Sequence, residues 1–155
     1  MTKFTPIFKD GQAALLTGLR QYHLYTDAAT GIPQQWLRFN ELRQSSNSTL
    51  CGVSYGVVCG SDAEGFEYMC AVETPLFESF NVGEGRLKLL PQHYLVLTHE
   101  GHISTINETW QAIWQWLPTT AYKTAHKPVF ERYDERFNGK TGDGLVELWI
   151  PIEQN

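Results

Sequence analysis

Two glutamates stand where a carboxylate is seldom left unaccompanied. In the stretch KPVFERYDERFNGKTGDGLVELWIPI, residues 127–152, Glu131 lies between Val129 and Tyr133, and Glu147 between Leu145 and Trp149. A buried carboxylate without a partner costs several kcal/mol, so such a group is protonated, paired internally, or kept for a cation from outside. Placed at the base of an aromatic groove, it would bind a flat lipophilic cation by charge complementarity, stacking and cation–π attraction. The same carboxylate could instead act as a general base on water. An internal ion pair with an arginine is the structural alternative for Glu131, and plain surface the alternative for Glu147. The aromatic residues that could wall a groove are Tyr55, Tyr68, Tyr133, Trp36, Trp110 and Trp149.

Other motifs carry less. HEGH at 99–102 is near the zinc-protease pattern HExxH, but the second histidine would be needed at 103, which is Ile103, and a third ligand is missing. GKT at 139–141 echoes a phosphate-binding loop, yet the glycine required five positions earlier is replaced by Asp134. The three cysteines, Cys51, Cys59 and Cys70, form no CxxC pair and read as reduced, packed thiols. Neither a metal site nor a cofactor is called for.

The elements that must position the glutamates follow from strand parity. Val146, Leu148, Ile150 and Ile152 make one apolar face of the last strand, which leaves Glu147 and Trp149 on the other. Glu131 shares its face with Val129, Tyr133 and Phe137, while Arg132, Asp134 and Arg136 alternate away. Parity fixes the faces within each strand but not which faces meet in the fold.

The chain divides into two halves of the same order, strand, helix and strand pair, with repeat one at about 9–76 and repeat two at about 77–155. The first has a strand at 12–19, a helix at 32–44 and strands at 49–59 and 65–73. The second has a strand at 93–101, a helix at 105–117 and the hairpin already quoted. Both helices open with Ile and Trp one turn apart, Ile32 with Trp36 and Ile106 with Trp110. Pro33 suits a first turn, Thr105 with Glu108 has capping-box spacing, and Pro118 marks a helix end. Aligning Gly65 with Gly144 sets Tyr68 over Glu147 as equivalent positions. The expected class is α+β: two pseudo-symmetric βαββ repeats forming an antiparallel sheet, with both helices on one side and a ligand groove at the junction.

With 155 residues, 42% of them apolar and 13% aromatic, the chain has enough material for one domain with a substantial core. A net charge of -5 with scattered Lys and Arg argues against a nucleic-acid surface. No run approaches the roughly 18 apolar residues of a membrane span, and the first residues lack a signal-peptide core, so a cytoplasmic location without membrane contact is expected.

The segments YLVLTHEG, a helix ending WQWLP, PVFERYDERF and VELWIPI resemble the GyrI-like family, also called the AraC-type effector-binding domain. That family includes drug-binding domains of multidrug-responsive transcription activators, stand-alone binding proteins, a DNA gyrase inhibitor, and hydrolases of reactive cyclopropane-bearing compounds. The resemblance implies a stand-alone module for amphipathic, cationic aromatic molecules, used in sequestration or sensing. Glu131 matches the late-strand glutamate that meets the ligand's charge in multidrug-binding relatives, and Glu147 the acidic position of the closing strand. In a hydrolase the same two glutamates would be the candidate general bases, and a gyrase-inhibitor-like role would require a protein partner that the sequence leaves unidentified. The chain departs from the regulators in having no segment before residue 12 that could form a helix-turn-helix, so no direct contact with nucleic acid is expected.

Overall fold

The computed structural model describes residues 4–45, 53–74 and 85–153. Its elements are β1 (Ile7–Gly11), β2 (Ala14–Leu24), α1 (Ala28–Ser45), β3 (Ser54–Ser61), β4 (Gly65–Thr74), β5 (Gly85–Leu89), β6 (Gln92–His102), α2 (Ile106–Trp116), β7 (Val129–Tyr133) and β8 (Asp143–Pro151). All pairings are antiparallel, in one eight-stranded sheet of order β1-β6-β8-β7-β3-β4-β2-β5.

That order reads the same from either end once the two halves are exchanged, so the pseudo-twofold runs between β3 and β7. The α+β class and the βαββ core of each half match the sequence reading, and each half carries one more strand. β1 and β5 each precede their own half but pair with the other half, β1 on β6 and β5 on β2. Only residues 12–13 join β1 to β2, and only 90–91 join β5 to β6. In a flat sheet β1 and β2 would stand six strand spacings apart, about 29 Å. A two-residue link reaches about 10 Å. The sheet must therefore curl until its ends approach.

Curling creates an inner face, where Leu16, Val57, Met69, Leu89, Tyr94, Val96 and Phe130 form one buried cluster drawn from both ends of the sheet. The outer face carries both helices. There Phe39 and Trp36 of α1 pack on Tyr68, Cys70 and Val72, while Ile113 of α2 and Leu117 after it pack on Leu95, Leu97, Val146, Leu148 and Ile150.

Three local readings need correction. Helix α1 begins at Ala28, with Asp27 O accepting from Gly31 N at 2.8 Å, so Pro33 stands inside the helix rather than in its first turn. Proline there removes one backbone hydrogen bond, which the buried Phe39 and Gln35 of the same helix offset by packing and side-chain bonding. Thr105 precedes α2 but makes no side-chain cap; its Oγ1 donates to His102 O at 2.7 Å, and His102 Nδ1 accepts from Ser104 N at 3.1 Å to start the preceding 3-10 turn. Tyr68 and Glu147 are not equivalent, because they face opposite sides of the sheet: Tyr68 packs beneath α1, whereas Glu147 is paired with Arg132 and turned inward. An alignment off by one residue inverts every face. Cys59 and Cys70 are free thiols, and Cys51 lies outside the described residues. Among the described residues no helix is long and apolar enough to cross a membrane.

Candidate functional site

The strands at the pseudo-twofold bring Glu131 to its surroundings. β7 pairs with β3 so that Glu131 lies opposite Gly56, and β3 pairs with β4 so that Gly56 lies opposite Cys70. The missing side chain at Gly56 leaves the space in which Tyr68 reaches across. A Cβ there would stand 1.9 Å from the Tyr68 hydroxyl and 2.7 Å from Glu131 Oε1. A glycine inside a strand often marks such a close approach.

Glu131 is buried, with 8% of its surface exposed. The Tyr68 hydroxyl donates to Oε1 at 2.8 Å, the Tyr133 hydroxyl to Oε1 at 2.7 Å, and Trp110 Nε1 to Oε2 at 2.9 Å. All three donors are neutral. Among the described residues no Lys, Arg or His pairs with this carboxylate. Burial first, and the adjacent Glu131 charge next, hold both tyrosine hydroxyls well above the usual phenol range. Burial and the same charge push up the Cys70 thiol.

The two helices contribute matching tryptophans. Trp36 Nε1 donates to the Tyr68 hydroxyl at 3.2 Å, as Trp110 does to Glu131. Trp36 also meets Tyr133 edge to face at 5.3 Å, and Tyr133 meets Phe137 at 5.0 Å. Each tryptophan follows a residue gripped by a buried histidine. His23 Nε2 donates to Gln35 Oε1 at 2.6 Å, and the Gln35 amide donates to the backbone oxygens of Leu19 at 2.8 Å and Tyr68 at 2.9 Å. On the other side Thr109 Oγ1 donates to His99 Nδ1 at 2.6 Å, while His99 Nε2 donates to His102 O at 3.0 Å. His99 and His102 therefore serve as helix anchors, and among the described residues no cluster could hold a metal ion.

Glu147 answers the charge question differently. It lies on the inner face, where Arg136 Nη2 pairs with Oε2 at 3.0 Å, Arg132 Nη1 with Oε1 at 3.4 Å, and Trp149 Nε1 donates to Oε1 at 3.1 Å. Asp134 completes the network, 3.0 Å from Arg132 and 2.8 Å from Arg136. Its hydrogen bond from Arg136, above all, holds the Asp134 carboxyl at about 2. Burial works against the Glu147 charge, but hydrogen bonds from Trp149 and Arg136 outweigh it and hold its carboxyl below the usual range.

Of the eight residues singled out from sequence, five gather on the outer face: Glu131, Tyr68, Tyr133, Trp36 and Trp110. Glu147, Trp149 and Tyr55 do not join them; Trp149 stacks on Phe130 at 5.3 Å, and Tyr55 meets the same ring at 5.6 Å. The internal ion pair weighed for Glu131 belongs instead to Glu147. Sequence reasoning passed over Gly56, Gln35 and Thr109, although a glycine in the middle of an apolar strand was a usable signal for the first.

Residues 13–152 match the family model described as Cass2, integron-associated effector binding protein. The transcriptional regulator BrlR of Pseudomonas aeruginosa is 37% identical over 105 residues, covering 64% of this chain and 38% of BrlR, so the chain spans well under half of that relative. Among solved structures, the integron cassette protein VCH_CASS2 of Vibrio cholerae superposes with a TM-score of 0.71 at 18% identity, over 96% of this chain and 95% of that one. SAV2435, in a structure bound to tetraphenylphosphonium, gives 0.70 at 18% identity, over 96% and 94%. At that identity the two superpositions establish the fold. With the family model spanning nearly the whole described chain, the protein belongs to the Cass2 family of integron-associated effector binding proteins.

Proposed function

We propose that the effector bound by this chain is a lipophilic aromatic cation, with Glu131 meeting its charge and Tyr68, Tyr133, Trp36 and Trp110 forming the walls. The observation that carries this reading is a buried carboxylate held by three neutral donors and, among the described residues, by no cation. Neutral donors satisfy its lone pairs yet leave the net charge in a low-dielectric setting, where an opposite charge gains most. A relative of the same fold, SAV2435, carries a lipophilic phosphonium. An entering cation would compete with Trp110 for Oε2 and lie against indole and phenol rings able to attract it. The module would then serve to sequester such molecules or to report them to a partner. Hydrolytic use of Glu131 as a base finds less support, since Oε1 already accepts from two tyrosines and Oε2 from Trp110.

Titration of the intrinsic fluorescence of the five tryptophans tests this directly. Saturable quenching by tetraphenylphosphonium, with much weaker quenching by neutral triphenylphosphine oxide, is expected. Equal affinity for the two would remove the charge-based reading.

A further inference from the structure

The face of α2 that carries Trp110 continues for another turn. Trp114 lies four residues on and so on the same side of the helix. Its ring stacks on Trp110, with centroids 5.6 Å apart and planes 14° from parallel. The Trp110 indole that donates to Glu131 therefore carries a second ring stacked on it, and that ring, Trp114, has 43% of its surface exposed. The other half has no counterpart: Ile32 and Trp36 correspond to Ile106 and Trp110, which sets the exposed Asn40 where α2 has Trp114. Among the described residues, the aromatic stack is thus extended on α2 and not on α1.

Among the described residues, the core cluster beneath α2 does not include Trp114. The core contacts of α2 run through Ile113, fully buried, with Ile106, Trp110 and Trp116 beside it. Stacking on Trp110 nevertheless fixes the orientation of the Trp114 ring, and a ring already held in place loses little conformational entropy when a ligand stacks on it.

We infer that Trp114 is a specificity-determining residue of the cation site, an outer platform whose exposed face takes an additional aromatic ring of the ligand. The inference rests on Glu131 being the site of the ligand's charge. It implies selection for cations whose aromatic surface extends toward α2, over cations with a single ring that the inner walls already contain.

Trp114→Ala and Trp114→Phe test it in the full chain, alongside the wild type. Tetraphenylphosphonium is titrated directly by calorimetry, and benzyltrimethylammonium, which carries one ring, by displacement of tetraphenylphosphonium. Trp114→Ala is expected to weaken tetraphenylphosphonium roughly threefold to tenfold, the range of one aromatic pair. It should change benzyltrimethylammonium less than about twofold, and Trp114→Phe should retain most of the larger ligand's affinity. A matching thermal melt shows whether the fold is kept. Equal losses for both cations, or no loss for either while the wild type binds both, would overturn the role of Trp114 and leave the Glu131 reading standing. A wild type that binds neither cation would sink both.

Discussion

Gly56→Ala places one methyl group inside the hydrogen-bonded pair at the centre of the site. The new Cβ would lie 1.9 Å from the Tyr68 hydroxyl, 2.7 Å from Tyr68 Cζ and 2.7 Å from Glu131 Oε1, all well inside contact distance. Tyr68 cannot retreat easily, because it is 3% exposed and packed with Phe39, Cys70 and Val72. The Tyr68–Glu131 hydrogen bond of 2.8 Å must therefore break or the strands must part. Overpacking a filled core costs about 1–3 kcal/mol. Loss of a hydrogen bond to a charged group costs about 1.5–3 kcal/mol. Alanine's advantage over glycine within a strand returns about 0.5–1 kcal/mol. A net destabilisation of about 2–5 kcal/mol is expected in urea denaturation, with loss of cation affinity in the folded fraction. Gly60→Ala in the same strand is the control: its Cβ would meet nothing within 4 Å. With no clash to offset that backbone gain, it should be as stable as wild type or more stable by up to about 1 kcal/mol. Equal stability and cation binding in Gly56→Ala and Gly60→Ala would refute the close approach on which the site geometry depends.

Further outcomes follow from the two carboxylate environments. Glu147→Gln removes a carboxylate shared by two half-exposed arginines and should cost about 1–2 kcal/mol in urea denaturation while leaving cation affinity within about twofold of wild type. The folded Asp134 carboxyl, held at about 2, lies below its value near 3.9 in the unfolded chain, so its contribution to stability is complete above about pH 4 and is lost as pH falls toward 2. Denaturation midpoints between pH 5 and pH 2 should therefore fall less steeply for Asp134→Asn than for wild type. Gln35→Leu removes one donor from each of the Leu19 and Tyr68 carbonyls and the acceptor of buried His23, and should lower stability by about 1–3 kcal/mol, with weaker cation binding because Trp36 is the next residue.

The strands and helices with strong periodicity were legible in the sequence because burial on one face imprints it. Leu95, Leu97, Leu148 and Ile150 show this in the second half, and Trp36 and Trp110 marked comparable helix faces. β1 and β5 escaped notice because IFKDG and GRLKL are five-residue edge strands, and four of the five residues of β1 are exposed. The start of α1 was missed because Pro33 was given the first-turn role it often plays, whereas Asp27 opens the helix. At the site, residue type identified both glutamates, but only register could separate them. Glu131 pairs across the sheet with Gly56 and Leu148, and Arg132 with Glu147, so adjacent residues of β7 serve opposite faces. Arg136, which neutralises Glu147, comes from the turn after β7 and crosses a span that no strand period encodes. The Tyr68 hydroxyl likewise reaches Glu131 from 63 positions earlier in the chain.

The charge preference of the site is the most direct measure of what Glu131 does. Calorimetric titration of methyltriphenylphosphonium and of neutral triphenylphosphine oxide, in wild type and in Glu131→Gln, compares ligands of similar shape against a carboxylate and its neutral isostere. Loss of a buried opposite charge costs about 2 kcal/mol or more, so wild type should favour the cation by roughly thirtyfold and Glu131→Gln should bind both ligands alike. The same preference for the cation in both proteins would contradict the assignment of ligand charge to Glu131.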